Sequence, residues 1–125
     1  MSGETVTYIG SFLVFGWGVA HLFPTRSIVR GFGELSPDNS RIITMEWIIE
    51  GVGLIFTGIL VALVTYVDRS SVVSHVVYWA TCGFLNSLSL VSLFTGVRNP
   101  FVAFKLCPFI FTGSSLLIVI GGVWG

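Results

Sequence analysis

Charged side chains are scarce in this 125-residue sequence: only 10% of its residues are Asp, Glu, Lys or Arg, and six acids balance six Lys and Arg residues. A chain without a basic excess gives no reason to expect nucleic-acid binding. Cysteine is also scarce, and Cys82 and Cys107 lie too far apart in sequence to form a CxxC redox or zinc motif. We therefore expect no nucleic-acid partner, no redox dithiol and no metal site.

Apolar residues dominate instead, at 54% of the sequence with a mean hydropathy of +0.93. A helix of about 20 mainly apolar residues crosses the hydrocarbon core of a bilayer. Four apolar stretches approach or exceed that length, at about residues 5–23, 42–67, 72–96 and 101–124. The sequence therefore predicts a single-domain, all-α integral membrane protein, folded as an antiparallel four-helix bundle.

Residues 24–41 form the only substantial loop, and they contain their own helical signals. Between residues 26 and 32, apolar side chains face two arginines, a pattern typical of a short interfacial helix on the membrane surface. The Ser36-Pro37-Asp38 segment resembles a helix start, with an N-cap, a proline in the first turn and an acid beside it. The second long helix should therefore begin in water at about Pro37 and enter lipid after Arg41.

Basic residues are distributed unevenly between the two ends of the predicted bundle. One end carries only Arg69 and the α-amino group, whereas the other carries Arg26, Arg30, Arg41, Arg98 and Lys105. The positive-inside rule assigns the end rich in basic residues to the cytoplasm. We expect both termini to lie outside, in a bacterial inner (plasma) membrane.

Two carboxylates stand out within the second apolar stretch, where Glu46 and Glu50 are the only Asp, Glu, Lys, Arg or His residues. At about 1.5 Å per residue they lie ~7 and ~13 Å beyond Arg41. Each charge costs roughly 2.5–3.5 kcal/mol at the centre of a membrane helix, so both acids require partners. One interpretation is that both acids are structural and bond to other helices. The other is that they form a functional site, as ionisable residues inside a membrane usually do.

Helical spacing places Glu46, Glu50, Gly53 and Thr57 on one stripe. We expect this stripe to face protein, while the aliphatic faces of the same helix meet lipid. On the first helix, Gly10, Val14 and Gly18 form a small-residue face that favours close helix approach.

Other helices carry further candidates for the same site. His21 emerges at the same membrane side as Glu46, and Asn86 near mid-depth requires a hydrogen-bond partner. Lys105 either reaches outward to the interface or turns inward toward Glu46. The full set of candidate ligand-binding residues is Glu46, Glu50, His21, Asn86, Lys105, Trp17 and Thr57.

The segment Gly16-Trp17-Gly18-Val19-Ala20-His21-Leu22-Phe23-Pro24, followed by a surface loop and three more apolar spans, resembles the small four-helix DoxX-like bacterial membrane proteins. The resemblance covers the whole chain in architecture. It implies an inner-membrane four-helix bundle, sometimes linked to quinone-dependent oxidoreduction. A more distant similarity is to sterol-isomerase-like bundles, which place His and Glu in a central pocket.

Three functional classes remain open at this stage. The first is a pocket open to the cytoplasmic side that binds a small amphiphilic or apolar ligand, such as a quinone or lipid-like molecule. The second is a membrane enzyme, or a component of a quinone-linked oxidoreductase, that uses Glu50 and His21 as an acid–base pair. The third is an accessory subunit of a larger membrane complex. A homo-oligomer in the lipid bilayer is compatible with each class.

Overall fold

The computed structural model describes all 125 residues, which form helices and turns without any strand. The helices are α1 (Gly3–Leu22), α2 (Thr25–Arg30), α3 (Pro37–Asp68), α4 (Val72–Val91) and α5 (Val102–Val119). Helices α4 and α5 each continue into a π-helical turn, Ser92–Gly96 and Ile120–Trp124 respectively. With these turns included, four helical stretches are long and apolar enough to cross a membrane. The prediction of an all-helical protein with four membrane-capable helices is therefore confirmed.

The loop between α1 and α3 has the local structure that its sequence predicts. Helix α3 begins at Pro37, and the Ser36 hydroxyl caps it by accepting a hydrogen bond from the Asn39 amide at 3.2 Å. The short helix α2 is also present, with Arg26 and Arg30 exposed on it. These features form because capping and amphipathic patterning act over a few neighbouring residues.

Glycines allow α1 to approach α3 and α5 closely, as the small-residue face of α1 predicts. A Cβ atom added at Gly18 would lie 2.8 Å from the carbonyl oxygen of Gly51, and one added at Gly10 would lie 2.9 Å from that of Ser114. From the α3 side, a Cβ atom at Gly58 would lie 2.7 Å from the carbonyl oxygen of Ser11. Larger residues at these contacts would force the helices apart.

Seven apolar side chains from all four long helices form the core: Val14, Leu54, Val61, Tyr78, Leu85, Phe111 and Ile118. Only 24 of the 125 residues are buried, and bulky side chains such as Phe12 and Phe109 remain 63% and 75% exposed. Water-soluble proteins rarely expose so many large apolar groups. The exposed apolar surface therefore supports an integral membrane protein.

Polar side chains between α4 and α5 bond to each other. The Asn86 amide Nδ2 donates to the Ser115 hydroxyl at 3.0 Å, and the Ser89 hydroxyl donates to the Pro108 carbonyl at 3.1 Å. The expectation that Asn86 requires a hydrogen-bond partner is confirmed, and its partners are the Cys82 carbonyl of its own helix and Ser115 on α5. Such bonds join helices where lipid offers no alternative partner.

Candidate functional site

An open cavity of about 790 Å³ lies where α2, the first half of α3 and the beginning of α5 meet. Thirteen residues line it, and eight of them are hydrophobic. Glu46 and Glu50 are the only ionisable residues among the thirteen, and we call this space the acidic cavity. The remaining lining residues are Ser27, Ile28, Gly31, Phe32, Ile42, Ile43, Trp47, Ile49, Asn99, Phe101 and Phe104.

The two glutamates open onto this cavity because α3 extends beyond the end of α1. The buried face of α3 runs through Gly51, Leu54, Thr57, Gly58, Val61 and Thr65. Helix α1 ends at Leu22, which packs against Gly51, so α1 covers the preceding turn of α3 only in part, through the contacts of His21 with Trp47 and Glu50. The Glu50 side chain is consequently 46% exposed, and Glu46 is exposed too. Within the predicted stripe, Thr57 is buried in the protein, whereas Glu46 and Glu50 are exposed and line the acidic cavity.

His21 lies beside Glu50, although it does not itself line the acidic cavity. Its side chain is only 8% exposed, and its Nε2 atom lies 3.6 Å from Glu50 Oε2. That separation is within ion-pair range but too long for a hydrogen bond. Nε2 has no hydrogen-bond partner, although it is buried. His21 and Glu50 therefore form a close but incompletely satisfied pair.

Trp47 holds His21 in this position through two contacts. The rings stack nearly in parallel, with centroids 3.9 Å apart and 14° between their planes. The Trp47 indole Nε1 also donates a hydrogen bond to the His21 carbonyl oxygen at 2.8 Å. These contacts fix the end of α1 against α3 and set the distance between His21 and Glu50.

A second, smaller cavity of about 170 Å³ lies on the other side of the His21–Trp47 stack. Its wall includes Trp17 and His21. Trp47, Phe101 and Phe104 line both this space and the acidic cavity, so the three rings form a partition between them. The edge of Phe104 meets the Trp47 ring, with centroids 5.9 Å apart and planes at 79°.

The structure thus groups four of the sequence-predicted site residues at one end of the molecule. Glu46 and Glu50 line the acidic cavity, and His21 contacts Glu50. Trp17 lines the smaller cavity together with His21. Helical spacing explains why Glu46 and Glu50 lie together. The position of His21 requires a contact between two helices.

Three further candidates lie elsewhere. Asn86 does not line the acidic cavity, because its amide bonds to Ser115 on α5. The buried Thr57 hydroxyl donates to the Gly53 carbonyl of its own helix at 2.8 Å, so it offers no free donor to a ligand. Lys105 is exposed and makes no ion pair with Glu46. Of its two predicted orientations, the structure has the outward one.

Sequence reasoning missed the aromatic wall formed by Trp47, Phe101 and Phe104. Two signals were available: Trp47 directly follows Glu46, and Phe101 and Phe104 are three residues apart at the start of a helix. Residues three apart lie on the same side of a helix. Their meeting with Trp47, however, depends on how α5 packs against α3.

Neither a related protein nor a group of metal-binding side chains indicates what the acidic cavity binds. The chain matches no protein-family model, no characterised protein and no solved structure. No group of three His, Cys, Asp or Glu side chains lies close enough together to hold a metal ion. The shape, charge and lining of the acidic cavity are therefore the basis for assigning a function.

Proposed function

We propose that this membrane protein binds a small amphiphilic or apolar ligand in the acidic cavity. The observation that supports this most strongly is the combination of size and lining. A volume of about 790 Å³ lies within the range of roughly 300–1,000 Å³ that is common for small-molecule sites. Such sites are mainly apolar with a few convergent polar groups, and here eight of thirteen lining residues are hydrophobic.

The lining suits an amphiphile with one polar end. Glu46 and Glu50 lie one helical turn apart and offer oxygen atoms that accept hydrogen bonds. Trp47, Phe101 and Phe104 supply the apolar wall on which the body of the ligand rests. A molecule bound in this way has its polar end at the acids and its apolar part against the rings.

We also propose how the chain is arranged in the bilayer. The chain crosses the inner membrane as an antiparallel four-helix bundle of the DoxX-like type, with both termini outside and the acidic cavity open to the cytoplasm. The distribution of basic residues supports this, because Arg26 and Arg30 on α2 and Arg41 on α3 lie at the end that contains the cavity. The short link of residues 69–71 between α3 and α4 favours antiparallel neighbours.

A second candidate function is a membrane enzyme, in which Glu50 and His21 exchange a proton with the substrate. The distance of 3.6 Å between His21 Nε2 and Glu50 Oε2 favours it. General acid–base catalysis requires such a group within about 3 Å of the reacting atom. Turnover of a quinone or sterol-like substrate that disappears in Glu50→Gln would distinguish this function from binding alone.

Filling the cavity tests the binding proposal. Ile43 is half-buried and lines the acidic cavity, whereas Ile48 lies on the same helix, is 41% exposed and does not line it. Native mass spectrometry of the mildly solubilised protein reports any small molecule that remains bound. We expect an adduct on the wild type and on Ile48→Trp that is lost from Ile43→Trp. The same adduct on both variants would contradict binding in this cavity.

A further inference from the structure

We infer that the group recognised at the polar end of the acidic cavity is a monovalent organic cation. The ligand is then a lipophilic cation, such as an amine, a quaternary ammonium or a phosphonium with an apolar body. This inference rests on the proposed function and adds the chemical class of its ligand. Charge, an unsatisfied buried side chain and the aromatic wall support it separately.

The first support is the charge of the lining. Glu46 and Glu50 are the only ionisable residues that line the cavity, and no Lys or Arg forms an ion pair with either of them. Lys105, Arg26 and Arg30 are exposed and do not line the cavity. Ionised carboxylates only accept hydrogen bonds and attract positive charge. The cavity thus presents two acids to its contents with no Lys or Arg of the chain paired to either, and the only basic group close to them is the His21 imidazole beside Glu50.

The second support is His21, whose side chain is buried except for 8% of its surface. Its Nε2 atom points at Glu50 on the cavity wall, 3.6 Å from Oε2, and makes no hydrogen bond. A buried polar atom without a partner is rare in folded proteins. Since His21 donates no hydrogen bond to Glu50, the Glu50 carboxylate remains available as an acceptor for a cation in the cavity.

The third support is the set of aromatic rings around the acids. Phe32, Trp47, Phe101 and Phe104 all line the cavity. The faces of such rings attract organic cations, and aromatic-lined sites bind quaternary ammonium groups on this principle. The cavity does not bring together three His, Cys, Asp or Glu side chains that could hold a metal ion.

Three probes of similar shape and different charge test the inference: tetraphenylphosphonium, the neutral triphenylphosphine oxide, and tetraphenylborate. Equilibrium dialysis of the full-length protein in mild detergent measures binding, with protein-free micelles as the baseline. The variant is Glu46→Gln with Glu50→Gln. Its matched control is Glu34→Gln, because Glu34 is an exposed acid in the loop that follows α2 and does not line the cavity.

We expect the wild type to bind the phosphonium at least tenfold more tightly than the neutral probe and the borate least tightly. The double variant should lose at least tenfold in phosphonium affinity and keep its affinity for the neutral probe, which also shows that its cavity is intact. Glu34→Gln should bind like the wild type.

Two results would overturn the inference in distinguishable ways. If the neutral probe binds as tightly as the phosphonium, or if Glu34→Gln weakens phosphonium binding as much as the double variant does, the cation inference fails while ligand binding stands. If none of the three probes binds above the micelle baseline, both the proposed function and the cation inference fail.

Discussion

The indole of Trp47 donates a hydrogen bond to the backbone carbonyl of His21 at 2.8 Å and stacks on the imidazole of the same residue. This pair joins the last turn of α1 to α3 beside the acidic cavity. It fixes the end of α1, and the end of α1 in turn determines that Glu50 is partly uncovered. The geometry of the cavity therefore depends on one side-chain contact between two helices.

Replacing Trp47 with Phe should destabilise the protein by about 1 kcal/mol, the usual net contribution of one hydrogen bond. The phenyl ring still stacks on His21, but the carbonyl of His21 loses its donor. Unfolding in sodium dodecyl sulfate, followed by circular dichroism, measures the loss. Trp79→Phe is the matched control, since Trp79 is 50% exposed and its indole makes no hydrogen bond. Equal losses in both variants would show that the bond to His21 adds no stability.

Two glycines on α1 make a second matched pair. Gly18→Ala should destabilise the protein by about 1–3 kcal/mol, the range typical of overpacking, because the added methyl would lie 2.8 Å from the Gly51 carbonyl oxygen. Gly16→Ala should be neutral or stabilising by up to about 1 kcal/mol, since nothing lies within 4 Å of the added atom and Ala favours helix. Thermal unfolding in detergent measures both. A Gly18→Ala protein as stable as Gly16→Ala would contradict the close approach of α1 to α3.

Asn86 and Ser115 should be energetically coupled. Hydrogen bonds between membrane helices average about 0.6 kcal/mol and reach about 1.7 kcal/mol, so we expect a coupling in that range. A double-mutant cycle of Asn86→Ala and Ser115→Ala, measured by unfolding, gives the value directly. The Ser87 hydroxyl bonds only to the Gly83 carbonyl of its own helix, so a cycle of Asn86→Ala with Ser87→Ala should give a coupling near zero. Zero coupling in the first cycle would show that the bond between Asn86 and Ser115 adds no stability.

Features that depend on a few neighbouring residues could be predicted from the sequence. The start of α3 at Pro37 follows from the Ser36 cap, and the close packing of α1 follows from the spacing of Gly10 and Gly18. The requirement of Asn86 for a partner was predictable too, because an unpaired amide in hydrocarbon is costly. That the partner is Ser115 was not predictable, since it depends on how α4 and α5 lie against each other.

The surroundings of the two acids illustrate the limit of such reasoning. Spacing along α3 correctly groups Glu46 with Glu50, but whether a neighbouring helix covers them depends on where α1 ends. Leu22 is the last residue of α1, and the contact of His21 leaves the Glu50 side chain 46% exposed, which is a property of packing between segments distant in sequence. The stacking of His21 on Trp47 has the same origin.

Photo-crosslinking locates a bound lipophilic cation and so shows whether the acidic cavity holds it. A triphenylphosphonium that carries a diazirine is bound to the full-length protein in mild detergent and irradiated, and the labelled residues are identified by peptide mass spectrometry. The acidic cavity predicts labels on Ile43, Trp47 and Phe104 that excess tetraphenylphosphonium suppresses. Labels confined to the outer faces of the helices, or labels that excess tetraphenylphosphonium leaves unchanged, would contradict binding of the cation in the acidic cavity.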